Sequence, residues 1–180
     1  MRGVKIGRRL PRQWGQFCTP KHSWAVFPAH SIQHGECTCG NPTCGPAGKH
    51  PMVAGGFKAA STDPDTVQQW WTNWPEANVA IATGSVSGLL ILDVDVGADK
   101  QGEAALKRLE AETGPLPREA VVRTGSGGWH IYMQMPDQPV GGSASKLGPN
   151  LDVRANGGYV IAPPSIHKSG NRYTWESTNA

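Results

Sequence analysis

Three segments of this chain carry residue types at spacings that suit phosphate and metal chemistry. The first is "LLILDVDVG", residues 89–97. Leu89 to Leu92 read as a buried strand, and Asp93 and Asp95 follow two residues apart. Alternate residues of a strand project to one face, so both carboxylates are expected on the same side at its C-terminal end. A buried ionised carboxylate is costly unless positive charge compensates it. Mg²⁺ or Mn²⁺ would do so, since both prefer carboxylate oxygens and retain waters and substrate phosphates. Taken alone, D-x-D is also a common solvated strand end.

The second segment is "RTGSGGWH", residues 123–130, a glycine-rich turn between two apparent strands with His130 opening the second. Glycines let backbone N–H groups approach a phosphate, and a histidine at that rim can donate to a phosphate oxygen. The plainer alternative is a tight hairpin with an incidental histidine. The third is "LDVRANGG", residues 151–158, where Asp152 lies between apolar neighbours and Arg154 shares its face. An internal Asp–Arg ion pair would explain it equally well in isolation. Together they supply three carboxylates, a histidine and a glycine turn.

A fourth group has different chemistry. Cys37, Cys39, Cys44 and His50 fall in the pattern C-x-C-x4-C-x5-H. Thiolates and imidazole suit tetrahedral zinc, and the intervening Gly, Pro and Asn residues let a short loop wrap one ion. Four ligands close the site, which makes it structural. Cys18 is an alternative fourth ligand, and one disulfide with a spare thiol is the metal-free alternative.

The elements that must position these groups are short. "SWAVFPAHSI" reads as a first strand, interrupted by the Cys/His loop. "TDPDTVQQWWTNWP" reads as a helix capped by Thr62 or Asp63, begun by Pro64 and stopped by Pro75. Trp70, Trp71 and Trp74 have helical spacing and are expected to pack in the core rather than stack on bases. "NVAIATG" and "GLLILDVDV" read as strands joined by "SVS". "GEAALKRLEAETG" reads as an amphipathic helix with Ala105, Leu106 and Leu109 inward and Gly114 at its end. "AVVRTGS" and "HIYMQM" flank the glycine turn. "LDVRAN" and "GYVIAPP" read as a hairpin joined at Asn156-Gly157, and "RYTWE" is a last strand. The pattern is α+β on a largely antiparallel sheet.

Composition bounds the reading. The chain has 180 residues, 38% hydrophobic and 17% charged, which suits one globular domain. The net charge of +3 conceals an asymmetry. Arg2, Lys5, Arg8, Arg9, Arg12 and Lys21 make residues 1–22 a basic leader without an acid, leaving the rest net acidic. Such a leader either touches nucleic acid or is a solvated, disordered terminus. No apolar run is long enough to span a membrane, and no signal peptide follows the basic start, so a cytoplasmic location is expected.

From Trp24 to Glu176 the sequence resembles the bifunctional DNA primase/polymerase N-terminal (prim-pol) domain of the archaeo-eukaryotic primase superfamily. The matching segments are "WAVFP", "GKHP", "KAASTDP", "WW", "NVAIATG", "GLLILDVD", "GPLP", "RTGSGGWHIYM" and "LDVRANGGYVIAPPSIHKSGNRYTWE". The resemblance implies an RRM-like catalytic sheet with flanking helices, a second small α/β half and a zinc-binding loop insertion. It divides the chain into the leader, 1–22, and a catalytic domain, 23–180, with the zinc loop at 37–50. It implies template-directed nucleotidyl transfer from a dNTP or NTP to a 3′-hydroxyl on single-stranded DNA template and primer. The setting would be replication or repair in a mobile element, phage or plasmid.

Carried over by motif, the resemblance assigns Asp93, Asp95 and Asp152 to catalytic Mg²⁺ or Mn²⁺. It assigns Ser126, Gly127, Gly128, His130 and Arg154 to the nucleotide, and Cys37, Cys39, Cys44 and His50 to Zn²⁺. Two departures stand out. "RRLPRQWGQFCTPKH" replaces the family's usual Ala-rich helix with a stretch containing two prolines. No accessory helical domain or helicase follows "YTWE", so one is expected in trans, or this is an excised or standalone domain. Two other functions fit the same residues less well: a catalytically silent nucleic-acid-binding module, and a metal-dependent nuclease or phosphodiesterase.

Overall fold

The computed structural model describes residues 18–19, 22–118 and 120–176. The leader's six cationic side chains lie outside the described residues, as does the side chain of Cys18. Eight strands and two α-helices form the frame. They are β1 (Val26–Ala29), α1 (Pro64–Asn73), β2 (Asn78–Ala82), β3 (Leu89–Val94), α2 (Gly102–Thr113) and β4 (Ala120–Arg123). β5 (Trp129–Gln134), β6 (Leu151–Arg154), β7 (Tyr159–Ala162) and β8 (Thr174–Glu176) follow.

Two antiparallel sheets result. The larger has the order β6-β3-β5-β4-β8 and the smaller β7-β2-β1. β3, α2 and β4 form a split β-α-β unit, with β5 inserted between its two strands. That arrangement, with β6 at the other flank of β3, is the RRM-like order. The second crossover helix of that pattern is replaced by a loop between Gln134 and Leu151. The α+β expectation therefore holds.

Both helices form for the reasons their sequences suggest. Asp63 accepts a hydrogen bond from the Thr66 amide at 2.9 Å, and Pro64 opens α1. Trp71 is buried, and Trp70 and Trp74 pack beside it on the core of the smaller sheet. α2 ends where the Gly114 amide donates to the Glu110 carbonyl at 2.9 Å.

Period-two alternation divides the larger sheet cleanly. Leu92, Val94, Ile131, Met133, Leu151 and Val153 share a core with Ala105 and Leu106 of α2. Leu89, Ile91, Val122 and Tyr132 face the other way, into a core shared with Val26, Phe27, Val79 and Ile161 of the smaller sheet. Asp93 and His130 continue this second face past the end of its apolar residues.

One expected hairpin is absent. β6 pairs with β3 in the larger sheet, whereas β7 pairs with β2 in the smaller one. The turn at Asn156-Gly157 exists, closed by the Gly158 amide on the Ala155 carbonyl at 3.1 Å, but its arms diverge into different sheets. Side chains hold them apart. Thr83 Oγ1 donates to the Ala155 carbonyl at 2.7 Å, and Asn156 Oδ1 accepts from the Ser85 amide at 2.9 Å. Gly84 makes this possible, since a Cβ there would collide with Asn156. "SVS" likewise links two sheets rather than two neighbouring strands.

Candidate active site

Strand register builds the site. Asp93 lies directly opposite His130 on one side and Asp152 on the other. Directly opposed residues of antiparallel strands project to the same face, so the three side chains form a row across β5, β3 and β6. Arg154, two residues beyond Asp152, joins that face. Its Nη2 donates to Asp152 Oδ2 at 2.9 Å and to Asp93 Oδ2 at 3.2 Å. His130 Nε2 lies 3.5 Å from Asp93 Oδ1. The costly carboxylate of Asp93 is thus compensated by the Arg154 guanidinium, with the His130 imidazole beside it on the other strand.

Asp95 is placed differently. β3 ends at Val94, one residue before the Asp95 amide makes a last in-register bond to the β6 side, donating to the Asn150 carbonyl at 3.0 Å. The alternation that would aim Asp95 beside Asp93 stops there. Its carboxylate pairs with Lys100 at 3.1 Å, and both side chains are more than 40% exposed. Asp152 also accepts the Ser145 amide at 3.0 Å. Asp93 and Asp152 therefore share Arg154 while Asp95 pairs with Lys100, and the three acids do not form one converged ligand set. Hard carboxylate oxygens at the open end of a sheet still suit Mg²⁺ or Mn²⁺, and the exposed Lys100 contact is weak.

A cavity of about 400 Å³ opens over Asp93, His130 and Arg154. Lys49, Phe57, Tyr159 and Tyr173 complete much of its wall. Burial pushes the His130 imidazole below its usual range, with Asp93 pulling upward and the Lys49 and Arg154 cations pushing down. It is accordingly neutral at pH 7. Its Nδ1 and the Tyr132 hydroxyl are buried without a hydrogen-bond partner, the kind of orphaned polarity that marks functional sites. Burial raises the Tyr173 hydroxyl well above its usual range, so it is a protonated donor at the cavity wall.

The glycine turn is largely structural within this geometry. The Gly127 amide donates to the Thr124 carbonyl at 2.9 Å, and Ser126 Oγ lies 3.0 Å from Thr124 Oγ1. A Cβ at Gly128 would strike the Val94 carbonyl oxygen. Neither Ser126 nor these two glycines line the cavity, although the turn fixes where β5 begins, one residue before His130.

The Cys/His group comes together as its spacing implies. The ligand atoms of Cys37, Cys39, Cys44 and His50 all lie within 4.8 Å of one another. His50 Nε2 is 3.4 Å from Cys37 Sγ and 3.3 Å from Cys44 Sγ. Burial pushes the Cys37 thiol up, but hydrogen bonds from the Cys39 and Gly48 amides and from His50 outweigh it and bring it down to about 6. The donor set fits structural zinc, with His50 as the fourth ligand. It is the one such cluster of three or more Cys, His, Asp or Glu among the described residues.

Sequence reasoning did not single out Lys49, Tyr173 or Tyr132. Lys49 carried a signal, since it directly precedes a ligand in "GKHP". The tyrosines read as ordinary strand residues.

An α+β fold with an RRM-like sheet, a row of acid and histidine across its central strands and a Cys₃His loop defines a class of nucleotide-handling domains. The family model described as bifunctional DNA primase/polymerase, N-terminal, matches residues 18–180, and the chain belongs to this family. A search of curated proteins finds no significant match. Membership makes this a primase/polymerase-type nucleotidyltransferase domain, with nucleic acid and nucleotides as its substrates. No helix among the described residues is long and apolar enough to cross a membrane.

Proposed function

We propose that the chain is a template-directed DNA primase/polymerase that adds dNMP or NMP to a 3′-hydroxyl at the Asp93 site. The observation that carries this is the register row of His130, Asp93 and Asp152, the first two lining a cavity that two cations, Lys49 and Arg154, also line. Asp93 and Asp152 would hold Mg²⁺ or Mn²⁺, with Asp95 joining after release from Lys100. Such ions lower the pKa of an attacking hydroxyl and stabilise a pyrophosphate leaving group.

The protein's own residues divide the remaining work. Neutral His130 donates one N–H to a phosphate oxygen and keeps the cavity free of a competing charge. Arg154 exchanges a carboxylate for a phosphate oxygen, a charge-assisted bond suited to its planar fork. Ser126, Gly127 and Gly128 hold the start of β5 and so set the position of His130 toward the triphosphate. Zinc on Cys37, Cys39, Cys44 and His50 is structural. Single-stranded template and primer would cross the sheet end.

Incubation with labelled dNTP, template and Mn²⁺, with and without primer, tests this reading. Extension of primer supports it, and products without primer add de novo priming. Degradation of the template would identify a nuclease instead, and binding without chemistry would identify a silent module.

A further inference from the structure

Lys49 is held by an unusual number of constraints for an exposed lysine. Its amide donates to the Pro46 carbonyl at 2.9 Å. On one side, the Gly48 amide donates to Cys37 Sγ at 3.4 Å, and the Gly48 carbonyl accepts from the buried Asn78 Nδ2 at 2.8 Å. Asn78 is itself locked to Ile166 by two hydrogen bonds of 2.9 Å. On the other side, the ligand His50 stacks on His30 with ring centroids 4.5 Å apart, and its carbonyl accepts the His30 amide at 2.9 Å. The backbone of Lys49 is thus fixed between the metal cluster and the core of the smaller sheet.

From this mount Lys49 reaches the cavity of Asp93, His130 and Arg154. Its charge is felt at His130, which lines the same cavity. Among the described residues it has no carboxylate within ion-pair distance, unlike Arg154 and Lys100. A cation lining a cavity without an acid of its own suits an anionic ligand. Lysine acts there as a point charge for phosphate.

We propose that Lys49 contacts the triphosphate of the incoming nucleotide, and that the Cys₃His loop is the device that positions it. Zinc occupancy then sets nucleotide affinity. This rests on the nucleotidyl-transfer reading above for the identity of the ligand. The loop is a wall of the catalytic cavity rather than a separate nucleic-acid finger.

Titration calorimetry of dATP binding in Mg²⁺, with zinc content measured on each protein, tests the proposal. Lys49→Ala should weaken dATP at least tenfold while retaining wild-type zinc, and Lys49→Arg should recover most of that loss. Lys107→Ala, on α2 and paired with Glu103, should bind dATP like wild type. Cys39→Ser should lose zinc and weaken dATP, and adding Lys49→Ala to it should cost less than twofold more. Where Cys39→Ser does not fold, Pro46→Gly keeps all four ligands, loosens the turn before Lys49 and serves the same double-mutant comparison. A wild-type dATP affinity in Lys49→Ala overturns the contact. A full tenfold penalty for Lys49→Ala in the loosened background overturns the positioning role. Binding that depends on Lys49 in a protein that extends no primer supports this site and overturns nucleotidyl transfer. A wild-type protein that binds no dATP overturns both.

Discussion

Arg154 bridges Asp93 and Asp152, and this decides what each acid can tell an experimenter. An Arg–Asp pair this accessible contributes about 1 kcal/mol or less to stability. Asp152→Asn should therefore shift the urea midpoint only slightly. If Asp152 also serves chemistry, the same change should cut the rate of nucleotide addition about 100-fold or more, on the scale of other single-group losses in polar active sites. A large loss of stability with unchanged rate would mark Asp152 as a structural ion-pair partner only.

A second expectation at this scale concerns His167. It is buried, with Nδ1 3.0 Å from Ser169 Oγ, and burial first, then Lys49 and Lys168, lower it from 6.5. The unfolded chain therefore binds a proton more readily than the folded one. Its stabilising contribution is fully present above pH of about 6.5 and is lost as pH falls below that value through the folded one. Melting temperature should drop over that window in wild type and drop less in His167→Gln. Identical pH profiles for the two proteins would contradict this.

At the scale of elements, β5 starts where Gly128 lets it. A Cβ at 128 meets backbone of β3, not a movable side chain, so Gly128→Ala must shift strand against strand. It should destabilise by about 2 kcal/mol, as overpacking does, and displace His130 from the row. Thermal melts and dATP affinity would both register it, and a neutral effect on both would show the strands to be pliant.

The same strands show what the sequence made legible. Period-two alternation was enough to put Asp93 on a face with apolar partners, and Asp152 and Arg154 together. It failed for Asp95 because the strand ends at Val94 and the Asp95 carboxylate turns to Lys100 in the segment that follows. It failed for Asn156-Gly157 because turn chemistry is local, whereas strand partners are chosen by distant residues such as Thr83 and Ser85. The zinc loop was legible since its four ligands are local in sequence. Lys49 was not, because its role depends on a cavity assembled from both sheets.

At the scale of the whole molecule, two sheets share one core and the Cys₃His loop is pinned to the smaller sheet through Asn78. Metal affinity is then folding free energy. The purified, reduced protein should carry about one zinc per chain, as the four-ligand count requires. Cys39→Ser should lose it and melt at lower temperature. Normal zinc in that variant would place the ligands elsewhere.

The central claim is that the cavity over the large sheet is a nucleotidyltransferase centre organised by Asp93. Asp93→Asn keeps size and shape while removing the charge that the row of His130 and Arg154 surrounds. The decisive measurement is single-nucleotide primer extension by wild type and Asp93→Asn in Mg²⁺ or Mn²⁺, with zinc content and melting temperature taken on the same samples. The predicted result is extension by wild type and none by Asp93→Asn, with zinc and folding unchanged. Wild-type extension by Asp93→Asn, in an assay where heat-inactivated protein is silent, would contradict it.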